Sequence, residues 1–136
     1  MIYRFRVVLD NDTKEDIFRD IEIRKTDSLE DLHNVITQSF GFDGSEMASF
    51  YLSDDNWNQG EEIPLINMDE EASDSICMAT TTIKQRVETP GEKLIYVYDF
   101  LEMWTFYVEL IDVLEEEEKG KGGGEEERQK NKERSH

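Results

Sequence analysis

Two carboxylates near the end of the apolar region have the types and spacing to do chemistry. Asp99 and Glu102 lie three residues apart, flanked by Tyr98 and Trp104. A carboxylate pair can share general acid and base work or help hold a metal ion. Aromatic neighbours can line a small ligand site beside it. Six of the fourteen aromatic residues fall within Tyr96–Tyr107, and this density supports a different reading just as well. Aromatics repeated at period two are good sheet-core and cross-strand packing residues. An acid beside a turn can also cap that turn with its own carboxylate.

The other chemistry-bearing residues are scattered. Asp54, Asn56 and Asn58 have the one, three, five spacing of a calcium loop. The sixth position is then Gln59 where such a loop needs glycine, and the twelfth is Leu65 where it needs a bidentate glutamate. A solvated acidic turn accounts for the segment. His33 stands beside an apolar helical stripe and reads as a helix-flank residue with one hydrogen bond. His136 is the second histidine, and the single Cys77 has no histidine near it in sequence to activate it. Lys119–Gly124 is glycine-rich but lacks the Gly-Lys-Ser/Thr ending of a phosphate-binding loop. No HExxH, CxxC pair or glycine-rich nucleotide loop occurs. No catalytic set, metal site or cofactor is expected, although a small hydrolase or metal-dependent enzyme built on Asp99 and Glu102 stays open as the alternative.

The elements that must position these residues follow from periodicity. Tyr3, Phe5, Val7 and Leu9 alternate with Arg4, Arg6 and Val8, and Ile17–Arg24 resumes the alternation, which predicts a hairpin. Ser28 with Asp31 makes a capping box. Leu29, Leu32, Val35, Ile36 and Phe40 then share one helical stripe, and Gly41 follows as a stop, so a helix is predicted over 29–40. Ser49–Ser53 reads as a strand, residues 54–79 as an acidic connection with a short strand near Ile63–Ile66, and Thr80–Val87 as a short helix. Pro90-Gly91 is a turn before a second hairpin, Lys93–Phe100 with Trp104–Val113. The result is an α+β domain over 1–114, a two-layer sandwich ordered ββαβ…αββ with one main helix packed on one face of the sheet. Residues 115–136 contain no Val, Ile, Leu, Met or aromatic residue and are expected to form a disordered charged tail.

Two segments resemble a known family. Leu29-Glu30-Asp31-Leu32-His33, closed by Phe40-Gly41-Phe42-Asp43, is similar to the first helix and turn of the plasmid pRiA4b open reading frame three-like proteins, also described as insertion-element passenger proteins. Tyr96-Val97-Tyr98-Asp99-Phe100, with Trp104 four residues later, resembles that family's Tyr-Asp-Phe-Gly-Asp-x-Trp hairpin. The family glycine is Leu101 here, its next acid is Glu102, and the histidine two positions after the tryptophan is Phe106. The resemblance implies a small α+β fold and a link to mobile DNA.

Charge argues against direct contact with that DNA. The chain carries 33 acidic and 15 basic residues, a formal net charge of −18. No Lys or Arg occurs between Thr26 and Ile83. Such a field repels phosphate backbones and anionic lipid surfaces, so neither nucleic acid nor a membrane is expected as a partner. No run reaches the roughly 18 apolar residues of a membrane span. Ile2–Leu9 is too short for a signal peptide, and one cysteine fits a reducing cytoplasm. The expectation is a non-enzymatic cytoplasmic domain that binds a protein partner with a basic surface, as an accessory of plasmid or mobile-element biology.

Overall fold

The computed structural model describes residues 1–10, 17–66 and 76–115. Residues 116–136 of the expected tail, with its glycine run, and residues 11–13 of the first hairpin's turn lie outside the described residues. Six strands, β1 (Ile2–Leu9), β2 (Ile17–Arg24), β3 (Ala48–Ser53), β4 (Gln59–Pro64), β5 (Lys93–Tyr98) and β6 (Trp104–Leu114), form one sheet in the order β2-β1-β6-β5-β3-β4. Every pairing is antiparallel. With one α-helix among the described residues, α1 (Leu29–Ser39), the domain is α+β.

Alternation decides what each strand buries. Tyr3, Phe5 and Val7 of β1 share one face with Ile21 and Ile23 of β2, Phe106, Val108 and Leu110 of β6, Leu94, Tyr96 and Tyr98 of β5, and Phe50 of β3. All are buried in one cluster that also contains Leu29, Leu32 and Ile36 of α1. Each such side chain contributes about 1.5–3 kcal/mol of apolar burial.

On the opposite face Ile95 and Val97 of β5 are buried, while β1 and β2 carry ion pairs. Arg4 reaches Glu22 at 2.7 Å and Asp112 at 3.7 Å, and Arg6 makes a two-bond contact with Asp20 while lying over the Phe18 ring.

The helix begins as its sequence predicts. Ser28 Oγ accepts from the Asp31 amide at 3.1 Å, and the Ser28 amide donates to Asp31 Oδ2 at 3.0 Å. It ends in paired bonds, Gly41 N to the Gln38 carbonyl and Phe42 N to the Thr37 carbonyl. Gly41 sits at φ +87, a conformation that glycine tolerates best. This end fixes where Phe42 and Asp43 emerge.

Two expectations need correction. The strand near Ile63–Ile66 is β4 at Gln59–Pro64, so the order before the connection is ββαββ. Apolar content misplaced it, because β4 is an edge strand whose first four residues are exposed. Thr80–Val87 is not a helix but two 3₁₀ turns, Met78–Thr80 and Ile83–Gln85, separated by extended Thr81. Besides the bonds within each turn, the backbone there bonds to the start of α1 and the chain ahead of it. Leu29 N donates to the Thr81 carbonyl, Ile83 N to that of Asp27 and Lys84 N to that of Lys25. Three consecutive threonines, β-branched and poor helix formers, favour that arrangement.

Candidate functional site at the β5–β6 turn

The turn from β5 to β6 is held by Asp99 itself. Its amide donates to the Met47 carbonyl at 2.7 Å, its carbonyl accepts from the Met103 amide, and its Oδ1 accepts from the Leu101 amide at 3.1 Å. Asp99 and Met103 both have left-handed backbone, φ +66 and +58. That conformation costs L-residues about 1–2 kcal/mol each. Aspartate offsets part of this through its local carboxylate bond, whereas Met103 has no such oxygen. Leu101 does not share the left-handed conformation, so the backbone does not require glycine there.

Tyr98 and Trp104 are cross-strand partners, and Phe42 joins them. Its ring centroid lies 5.1 Å from that of Tyr98 and 5.2 Å from that of Trp104. Tyr98 is buried, and its hydroxyl donates to Asp43 Oδ1 at 3.1 Å and accepts from the Glu46 amide at 3.3 Å. Asp43 also accepts from the Ser45 amide and hydroxyl. Those bonds from Ser45, then the one from Tyr98, hold its carboxyl below the usual carboxylate range.

Trp104 is 38% exposed, not a core residue, because it opens β6 at the end of the sheet. Glu102 is exposed in the turn. The structure therefore brings Tyr98 and Trp104 together, sets Asp99 as the brace of the turn and leaves Glu102 at its surface.

Phe42 and Asp43 join this site from 55 and more residues away. Their sequence signal is the helix stop at Gly41, which shows where the chain turns but not what it meets.

His33 is buried, at 2% exposure, and its Nδ1 is hydrogen-bonded to the Tyr96 hydroxyl. It is a core residue, not one on the helix flank. Its ring lies 5.7 Å from that of Tyr96 and 6.4 Å from that of Tyr98. Burial pushes the His33 pKa down and the Tyr96 pKa well up, so the pair is neutral at pH 7. A neutral, enclosed pair braces the aromatic cluster from beneath.

The calcium-like segment is a closed turn. Asp54 Oδ1 accepts from the Asn56 and Asn58 amides, and Oδ2 from Asn58 Nδ2, all at 2.9 Å. These bonds hold its carboxyl low and occupy the oxygens a cation would need. Among the described residues, no three His, Cys, Asp or Glu are grouped to hold a metal ion. Among the described residues, Cys77 bonds to Thr80 and Thr81, at the end of the 3₁₀ turn that it precedes. Nearby, an open hollow of about 530 Å³ is lined by Ile76, Thr80, Thr81, Gln85 and Arg86, with Arg86 held two-fold by Glu61. No described helix is long and apolar enough to cross a membrane.

The family model described as plasmid pRiA4b ORF-3-like protein matches residues 1–125. A crystal structure titled protein of unknown function MM3350, from Methanosarcina mazei Go1, superposes with a TM-score of 0.69 at 16% identity. The match covers 88% of this chain and 65% of that one, which establishes likeness of fold. No curated protein matches the chain.

Proposed function

The chain belongs to the plasmid pRiA4b ORF-3-like family, and from that premise we propose that it is a non-enzymatic, cytoplasmic protein-binding domain whose acidic surface meets a basic partner. The observation that carries this reading is the commitment of Asp99. One oxygen of its carboxylate accepts from the Leu101 amide, which gives Asp99 a turn-bracing role of its own, while Glu102 is exposed at the surface of the turn. The charge pattern supports it, with no Lys or Arg from Thr26 to Ile83 and Arg4, Arg6 and Arg86 paired to carboxylates. The reading also rests on a two-layer sandwich, α1 packed across one face, which is supported by the cluster that Leu29, Leu32 and Ile36 share with the sheet. The family name supports an accessory role in plasmid or mobile-element biology.

The test is affinity purification of the full chain from its host, followed by titration of the recovered partner as a purified protein. A partner with a basic surface, bound less tightly as salt rises from about 0.05 to 0.3 M, is expected because screening shortens the reach of surface charge. Salt-independent binding, or a hydrolytic activity abolished by Asp99→Asn, would overturn the proposal.

A further inference from the structure

The turn that Asp99 braces presents an apolar crown. Leu101 is 92% exposed, Met103 54%, Phe100 43% and Trp104 38%, so four large apolar side chains stand in five successive positions of one turn. Exposed apolar residues scattered singly need no explanation, but a contiguous cluster marks a contact surface. The cluster is also held in place. Asp99 and Met103 keep left-handed backbone, and hydrogen bonds from Leu101, Met103 and Asp99 itself over-determine that geometry. Strain maintained at a site open to solvent points to function.

The rim of the crown is acidic. Asp99 and Glu102 lie in the turn, while Asp43 and Glu46 are exposed in the loop bonded to it through Tyr98 and Met47. Neither residues 41–47 nor 99–104 include a Lys or Arg. Interfaces of this composition have an apolar anchor at the centre and charges around it.

We propose that the β5–β6 turn is the anchoring knob of this domain, inserting Leu101 and its neighbours into an apolar socket ringed by Lys or Arg on a partner protein. This rests on the protein-binding reading and adds where the contact is made. The acidic rim excludes an anionic membrane and disfavours a second copy of the same turn, since like rims would meet.

The experiment places a photo-crosslinking amino acid at position 101, and for comparison at exposed Glu88, in full-length chains expressed in the host. The protein joined at position 101 is identified, purified and titrated against the parent, Leu101→Ser and Glu102→Lys. Leu101 is almost wholly exposed, so its replacement leaves the fold intact. We expect an adduct at 101 but not at 88, and affinity losses of about tenfold or more for both variants. A partner that binds Leu101→Ser as tightly as the parent would refute the knob while leaving the protein-binding reading standing. An adduct only with a second copy, capture only by phosphatidylcholine vesicles, or no adduct would also overturn it. Absence of any salt-sensitive protein partner would remove the broader reading as well.

Discussion

Acidification tests the buried His33 directly. An unfolded imidazole titrates near 6.5, and burial sets the folded value lower. Above that pH both states hold a neutral ring, and His33 contributes no pH dependence. Below it the unfolded chain takes up a proton that the folded chain refuses, so stability falls as pH falls. The slope reaches about 1.4 kcal/mol per pH unit. From about pH 7.5 to 5.5 the loss attributable to His33 is therefore up to about 1.4 kcal/mol. The carboxyls of Asp43 and Asp54 are held low and titrate below this window. Urea unfolding of the parent and His33→Gln, followed by tryptophan fluorescence at constant ionic strength, isolates the effect as a difference of two differences. The parent should lose stability across the window, and the variant should lose less by up to that amount. Should His33→Gln fail to fold, Tyr96→Phe, which keeps the imidazole, must still show the acid loss. Parallel pH profiles for parent and His33→Gln would refute a buried, neutral His33.

Four further outcomes follow from the same contacts. Tyr96→Phe should cost about 1–3 kcal/mol at pH 7 by leaving His33 Nδ1 buried without its partner, whereas stability within about 0.5 kcal/mol of the parent would mean the bond adds nothing. Trp104→Ala should cost less than about 2 kcal/mol, below the 3–5 typical of a buried aromatic, and a larger loss in chemical unfolding would show that the ring is part of the core. Calcium at about 1 mM should shift stability by no more than ~0.4 kcal/mol, because Asp54 is already occupied by amides, and a larger rise in the unfolding midpoint would contradict that. Duplex DNA should bind no tighter than about 10⁻⁴ M at 0.15 M salt, since Arg4 and Arg6 are paired to carboxylates; micromolar binding by fluorescence anisotropy would reopen a direct role on DNA.

Local signals made most of the fold legible. The alternation in Tyr3–Leu9 and Ile17–Arg24, and the Ser28/Asp31 box with Gly41 beyond it, are each contained within one element, and they describe β1, β2 and α1 to within a residue or two. Strand β4 was harder, because exposed Gln59, Gly60, Glu61 and Glu62 give an edge strand no apolar stripe. Gly60 does carry a clue in retrospect. A β-carbon there would stand 3.0 Å from the Leu52 carbonyl oxygen, so close backbone approach selects glycine. The 3₁₀ segment was misread because its backbone also bonds to Lys25, Asp27 and Leu29, more than fifty residues earlier. The site was half legible for the same reason. Tyr98, Asp99 and Trp104 could be read from one hairpin, while Phe42, Asp43 and the His33–Tyr96 bond depend on contacts that spacing does not encode.

The place of β6 in the sheet carries a consequence for biosynthesis. It pairs with β1 on one side and β5 on the other, so it alone joins the β2-β1 hairpin to the β5-β3-β4 group. Of the described strands it is also the last to leave the ribosome. At about 5–20 residues per second, the roughly 100 residues between β1 and β6 take about 5–20 s to make. Throughout that interval β1 has one open edge, and a lone two-stranded hairpin is marginal in water. A message broken before Trp104 would not yield a shortened working domain. It would yield two sheet fragments with unpaired edges, the form of chain most prone to aggregate.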